Sequence, residues 1–412
     1  MADYLIECLG FLLRWLHVVA AIAWIGESFY FVALDRGLKP PREAEPNLYG
    51  ESWSVHGGGF YRKQKYLPAP QELPADVHWS KWKSYTTWMS GFALFTVVYL
   101  FSPQVYLIDP AVAALTPTQA VLAALAFPPL FWLLYDGLCR LFHDRDDMLG
   151  AAVAGLVLLL CYATTQLFAG RAAFLLAGAT IGTVMSANVF FVIIPGQKKI
   201  IAALRRGEAP DPEPGRRGKQ RSVHNTYFTL PVVFAMLSTH YATAYAHADG
   251  WLVLAAFMAA GTLIRQFFVL WHSGGRAWWL LAAGGLLLVA VFAWIRPLPP
   301  AIAAPASTAS AAAATAADAP AATAAAELPL PDTAALMPLV ARHCAVCHSA
   351  HPQLLGTAPK GVMFDTAAQL DAHKALIGRQ VGVLRVMPPG NLTQMSEDER
   401  ALIARWAGVA GR

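Results

Sequence analysis

Long apolar stretches recur along the first three quarters of the chain and limit what it can fold into. Each is close to the roughly 20 residues that a helix needs to cross a bilayer. They predict an all-α fold, a polytopic bundle of about eight transmembrane helices. Composition agrees, since 14% of the 412 residues are charged, against about 25% in a soluble domain. The predicted spans are roughly 7–34, 86–107, 117–141, 149–169, 173–195, 226–247, 250–271 and 277–295.

Basic residues alternate with these spans and predict their orientation. The loops 35–85 and 196–225 hold eight Lys or Arg each, whereas the connections on the opposite side hold only Arg171. Because basic loops stay in the cytoplasm, both termini are expected on the outer side of the membrane. Such regular alternation argues against a nucleic-acid-binding surface and for the lipid bilayer as the partner.

Composition also divides the chain into domains. Residues 1–296 contain all the predicted spans, and residues 297–331 are almost entirely Ala, Pro, Thr and Ser. Such a segment cannot bury a core and indicates a tether. Residues 332–412 have a mixed composition and predict a small helical domain on the outer side.

The C-terminal domain contains RHCAVCHSAHP, residues 342–352. C-x-x-C-H is the attachment signature of c-type haem, because two thiols on one helical turn can each add to a haem vinyl group. The pattern predicts one covalent haem c bound through Cys344 and Cys347, with His348 as an axial iron ligand. The alternative for a C-x-x-C pair is a zinc or redox site.

A second axial ligand must come from elsewhere in this domain. Met387 in RVMPPGN is the candidate, since methionine and histidine are a known axial pair. Met363 and Met395 are the alternatives. A capping-box pattern at Ser396 then predicts a final helix. This order of helix, haem motif, Met-Pro loop and helix resembles a small class I cytochrome c.

Two histidines fall inside predicted spans, where ionisable groups are costly and usually functional. His17 is near the middle of the first span, and His240 has a similar expected depth in the sixth. Two neutral imidazoles at one depth predict the ligands of a b-type haem. The alternative is that each histidine bonds to a neighbouring helix.

Cationic and aromatic residues on the cytoplasmic side predict a site for a planar anion. Arg265 and His272 share a face of the seventh span near its inner end, and arginine is a good anion binder. The first inner loop contains HGGGFY, with His56 and Tyr61, whose rings and amides suit a flat ligand. The alternatives are a structural Arg265 paired with Asp136 or a carbonyl, and a loop that lies in the membrane interface.

Several long motifs are similar to those of the membrane-integral urate oxidases (urate hydroxylases) of bacteria. They are HVVAAIAWIGESFYF, HGGGFYRKQKY, HWSKWKSYTTWMSGF, GTVMSANVFFVIIPGQKK and NTYFTLPVVFAMLSTHY, and a tethered C-x-x-C-H segment follows them. The resemblance covers nearly the whole chain. It implies oxidation of urate to 5-hydroxyisourate in purine breakdown, at the bacterial inner membrane with the cytochrome domain in the periplasm.

The resemblance also implies where the electrons go. They pass to the covalent haem and then to a respiratory-chain acceptor, such as a soluble cytochrome c or a terminal oxidase. It implies the haem roles of Cys344, Cys347, His348 and Met387 but no urate-binding residue.

Two other functions would leave similar patterns. A quinol- or metabolite-linked membrane cytochrome would carry the same haem motif without needing a cationic aromatic loop. A transporter with a fused cytochrome would be expected to contain inverted repeats, and we find none in the sequence.

Overall fold

The computed structural model describes residues 2–296, 331–355 and 358–409. The chain forms two compact units, Met1–Arg296 and Pro297–Arg412. The division falls where the Ala/Pro-rich segment was expected to begin, but the tether itself lies outside the described residues.

The first unit is mostly helical. Its helices are α1 (Ala2–Arg36), α2 (Trp82–Phe95), α3 (Pro103–Tyr106), α4 (Pro117–Leu141), α5 (Asp146–Leu167), α6 (Gly170–Ala187), α7 (Ile194–Arg205), α8 (Glu213–Ser238), α9 (Ala242–Tyr245), α10 (Gly250–His272) and α11 (Trp278–Trp294). A π-helical turn, Asn188–Ile193, joins α6 to α7, and another, Thr96–Leu100, extends α2.

Five helices among the described residues are long and apolar enough to cross a membrane. The chain is therefore assigned to the membrane, with fewer clear spans than the eight expected. These helices are Cys8–Arg36, Pro117–Leu141, Asp146–Leu167, Gly170–Arg205 and Gly250–His272.

The other three expected spans differ for separate reasons. The second is interrupted, because α2 gives way to a π turn and then to the short α3. The sixth is displaced, since α8 begins at Glu213 and ends at Ser238, whereas the prediction was 226–247. The eighth is a shorter apolar helix, Trp278–Trp294.

The core of the first unit lies where α4, α5, α6, α8 and α10 pack together. Large buried side chains from all five helices meet there, and α11 covers one side through Val291. They include Tyr135, Leu149, Phe174, Ile181, Phe228 and Phe257. Helix α1 packs mainly against α2 and α10. This packing places Phe29 of α1 at the site described below.

A two-stranded antiparallel sheet corrects the all-α expectation. Strand β1 (Leu48–His56) pairs with β2 (Gly59–Tyr66). The turn between them has Gly57 and Gly58 at φ values of 58° and 81°. Positive φ at both central residues is what a type I′ hairpin turn requires, and glycine adopts it at no steric cost.

The second unit is a small helical domain. Its helices are α12 (Thr333–His343), α13 (Ala367–Ala372), α14 (Lys374–Ile377) and α15 (Glu397–Trp406). The core contains Leu336, Val340, Leu370, Met395, Ile403 and Trp406. The expected capping box is present, because Ser396 Oγ accepts the Glu399 N–H and the Glu399 carboxylate accepts the Ser396 N–H.

Candidate functional site

Arg265 is a buried cation in the last third of α10, with a relative exposure of 3%. Its guanidinium carbon lies 4.1 Å from the centroid of the Phe29 ring on α1. Nε and Nη2 have no hydrogen-bond partner among the described residues. These two nitrogens form one edge of the guanidinium, which is the edge that binds a planar anion with two parallel hydrogen bonds. Arg265 can therefore bind such an anion.

Two polar side chains lie next to this cation. Tyr227 on α8 donates its hydroxyl hydrogen to Oε1 of Gln266, the residue that follows Arg265. The charges of Arg36 and Arg265 both act on the Tyr227 hydroxyl. Where α1, α8 and α10 meet, the chain thus combines a cation, an aromatic ring, an amide and a phenol.

The alternative partner for Arg265 is ruled out by a different ion pair. Asp136 on α4 accepts from Arg221 Nη2 at 2.6 Å and from Arg140 Nε at 2.7 Å. The Arg221 side chain is 2% exposed, whereas that of Arg140 is 69% exposed. Asp136 is therefore occupied elsewhere, and Arg265 keeps its free edge.

A polar network adjoins this ion pair inside the bundle. The Tyr135 hydroxyl lies 2.7 Å from Nδ1 of His224, and the Asn188 amide donates to the same hydroxyl at 3.2 Å. The Arg221 guanidinium lies over the Tyr135 ring at 4.9 Å. Arg221 was not predicted as a buried residue, because it was counted among the charges of the loop 196–225. The sequence did contain one signal for it, since Asp136 lies in a predicted span and needs a cationic partner.

His17 lies against α2 and bonds to its backbone. Its Nδ1 is 3.0 Å from the Thr87 carbonyl oxygen and 3.3 Å from Ser90 Oγ. Gly91 gives the ring room, since a Cβ added there would lie 2.7 Å from His17 Cε1. This is the alternative role considered above, a histidine bonded to a neighbouring helix.

His240 does not lie in the middle of a span. It is exposed in the turn after α8, and its N–H bonds to the Leu237 carbonyl. His240 falls outside the helix because α8 ends at Ser238, whereas the sixth span was expected to continue to residue 247. A matched depth of His17 and His240 was the reason to expect a b-type haem, and the two histidines do not have that match.

The other predicted substrate residues lie apart from the buried cation. His272 is half-buried at the C-terminal end of α10. His56 and Tyr61 are exposed on the β1–β2 hairpin, and no described contact joins them to Arg265. Phe29 and Gln266 lie nearer to Arg265 than these residues do, although no sequence pattern had marked either as a candidate.

A separate open groove of about 510 Å³ is lined by residues 75–79, Ile201 and Arg205. Its cation, Arg205, is exposed and donates to the Ala75 carbonyl at 3.2 Å. A solvated and partnered arginine holds an anion less strongly than a buried one, so this groove is the weaker candidate.

In the second unit, the chain makes a tight turn at the end of α12. The His348 and Cys347 N–H groups both bond to the Cys344 carbonyl, at 2.8 and 3.1 Å. Both thiols are free. Burial raises the pKa of the Cys344 thiol to about 12 and also raises that of Cys347. The two sulfurs thus lie on one turn, as attachment to two vinyl groups requires.

The His348 ring is fixed from one side. Its Nδ1–H donates to the Val362 carbonyl oxygen at 2.9 Å, which leaves Nε2 as the acceptor nitrogen. A metal-binding histidine almost always donates its other N–H in this way. These residues therefore fit a c-type haem.

The three methionines differ in their surroundings. Met395 is 2% exposed in the core, and its N–H bonds to Asn391 Oδ1. Met387 is half-buried and packs against the core cluster that Cys344 also contacts. The Met387 carbonyl accepts from Arg400 Nη1 at 2.7 Å, which holds the loop in place. Met363 is also half-buried, so the bond from Arg400 to its loop is what sets Met387 apart.

Comparison with known proteins decides the family. The Urate oxidase N-terminal family model matches residues 3–296. The chain belongs to this family. No curated protein and no solved structure matches it. Within the described residues, no group of three or more His, Cys, Asp or Glu is arranged to hold a metal ion.

The urate oxidase N-terminal match coincides with the first unit. It contains Arg265, Phe29, Gln266 and the Asp136 network, and it ends before the Cys344–His348 turn. The family thus points to a urate-related oxidoreductase.

Proposed function

We propose that this membrane protein oxidises urate to 5-hydroxyisourate and passes the electrons to a c-type haem in its second unit. The observation that carries the proposal is the urate oxidase N-terminal match over a unit that holds a buried arginine with a free edge. In the reaction, the urate monoanion and water give 5-hydroxyisourate, one proton and two electrons. Water supplies the new hydroxyl oxygen at C5.

Arg265 binds and orients the substrate. Urate is flat and presents neighbouring nitrogen and oxygen acceptors at its edge, which match the Nε and Nη2 donors. Charge-assisted hydrogen bonds are worth about 1.5–3 kcal/mol each. Phe29 stabilises the cation through its ring, and the Tyr227–Gln266 pair offers further polar groups near it.

The second unit holds the electron acceptor. Cys344 and Cys347 would attach the haem, and His348 and Met387 would ligate its iron. A c-type haem supplies a one-electron sink that is used twice for each urate. The bond from His348 Nδ1 to Val362 fixes the ring so that Nε2 faces the ligand position. A soluble cytochrome c or a terminal oxidase is the proposed final acceptor, with the second unit in the periplasm.

The test uses the purified full chain in detergent without oxygen. Its pyridine haemochrome spectrum should show c-type haem, and urate added without quinol should reduce that haem. The double variant Cys344→Ala, Cys347→Ala should insert in the membrane normally but lose urate turnover. Reduction by quinol and not by urate would instead establish the quinol-linked cytochrome. Urate added to each face of sealed, oriented vesicles locates the substrate side, which we expect to be cytoplasmic.

A further inference from the structure

One face of the β1–β2 hairpin is largely uncovered by the described chain near its turn, where only Arg42 lies over the Trp53 ring, at 5.8 Å. Trp53, Val55 and Phe60 are 52%, 67% and 78% exposed. In the strand register Trp53 pairs with Arg62 and Val55 with Phe60. Directly opposed residues share a face of a sheet, so the three apolar side chains form one patch near the turn. We call it the tip patch.

The opposite face shows which way the turn points. Lys65 Nζ bonds to Asp35 at 2.7 Å, and Lys63 Nζ lies 4.9 Å over the Tyr30 ring. Going from Lys65 to Lys63 approaches the turn, while going from Asp35 to Tyr30 enters the membrane-length part of α1. The hairpin therefore lies along α1 with its turn directed toward the membrane.

A charged pair nearby is expected to lie in the headgroup layer, because charges are costly in hydrocarbon. Glu27 on α1 accepts from Lys83 Nζ at 2.6 Å, at the start of α2. It is three residues beyond Tyr30, or about 4.5 Å along the helix. Phe60 is three residues beyond Lys63, or about 10 Å along the strand. The tip patch thus reaches the depth of the Glu27–Lys83 pair and extends a few Å further.

We propose that the tip patch inserts into the lipid headgroup layer of the membrane that α1 crosses. Tryptophan and other aromatic residues favour that layer. Residues 39–66 also carry five Lys or Arg against three Glu, which favours anionic lipid. An isolated two-stranded hairpin is only marginally stable in water, so lipid contact would also keep this one ordered.

The experiment measures the depth of two spin labels on the full chain in nanodiscs. Only the introduced cysteine should take the label. Cys8, Cys139 and Cys161 are therefore replaced by Ala, and Cys344 and Cys347 are bonded to the haem under the proposed function. One label is placed at His56→Cys, next to the turn at the level of the tip patch but on the opposite face, and the control at Gln64→Cys, which is exposed on the same hairpin nearer its base. We expect oxygen to relax the first label more than a water-soluble nickel chelate does, and the reverse for the control.

Two outcomes would overturn the proposal. Equal nickel access at both labels would mean that the tip lies in water. Shielding of the tip label from both reagents would mean that protein, such as a second copy of the chain, covers the patch. Replacing Trp53, Val55 and Phe60 by Ser should make the nickel chelate relax the tip label more than oxygen does. Raising the fraction of anionic lipid should increase the ratio of oxygen to nickel relaxation at the tip label severalfold.

Discussion

The guanidinium of Arg265 lies 4.1 Å from the Phe29 ring, so α10 and α1 meet in a cation–π contact inside the bundle. The ring stabilises the buried charge without using any of its N–H donors. A carboxylate partner in the same place would have consumed the Nε–Nη2 edge. The contact with Phe29 thus keeps Arg265 both charged and available to an anion.

Arg265→Gln should lower kcat/KM for urate by about tenfold to a hundredfold, because charge-assisted hydrogen bonds worth about 1.5–3 kcal/mol each are lost. Arg265→Lys should recover only part of this, since an ammonium cannot form two parallel bonds. Steady-state turnover and haem content check both variants. The matched control is Arg140→Gln, an exposed arginine, which should keep normal kinetics; equal losses in the two Gln variants would contradict the assignment.

Phe29→Leu should weaken urate binding severalfold, because a cation–π contact contributes about 0.5–2 kcal/mol to placing the guanidinium. Phe29→Trp should keep most of the affinity. Equilibrium dialysis of urate against the purified protein measures the change. The adjacent Phe31 is 50% exposed, so Phe31→Leu should leave affinity unaltered, and a loss equal to that of Phe29→Leu would argue against the site.

The two arginines on Asp136 should differ in their effect on stability. Arg221→Gln breaks a buried pair, which costs up to about 3–5 kcal/mol, reduced here because Arg140 still bonds to the carboxylate. Arg140→Gln removes an exposed pair worth about 0–1 kcal/mol. Thermal unfolding in detergent should therefore show a clear drop in Tm only for Arg221→Gln. Similar Tm values for both variants would show that the Arg221 pair is not stabilising.

Met387→Ala should keep the covalent haem, lower its reduction potential and remove the absorption band of methionine-ligated iron, because the axial thioether is gone. Met395→Ala should keep that band and instead destabilise the second unit, by about 2–5 kcal/mol for a buried methionine. Optical spectra and redox titration separate the two. A band that survives Met387→Ala would move the ligand to Met363.

Part of the fold could be predicted from local sequence signals. The final helix was expected from Ser396 and Glu399, and the capping box is there because both bonds are made within one turn. The hairpin was missed although Gly57 and Gly58 carry a turn signal, since its ring-rich strands were interpreted as a ligand-binding loop.

Other features depend on contacts that a hydropathy scan does not register. Helix α8 starts at Glu213, and its polar first half is mostly exposed or half-buried except for Arg221, whose buried charge is offset by Asp136, far away in sequence. The same displacement put His240 beyond the helix end. Arg265 was a candidate from its place in a span, but Phe29 could be found only once α1 and α10 were seen to pack together.

The π turn at Asn188–Ile193 has a consequence for how this family can vary in length. It joins α6 and α7 into one continuous helix, Gly170–Arg205. A π turn accommodates one residue more than an α turn. Deleting a residue within it would restore α-helical winding and leave the segment beyond it, with Lys198 and Lys199, on the same face of the helix. Homologues one residue shorter here should therefore present the same face of α7 while keeping Asn188 in place.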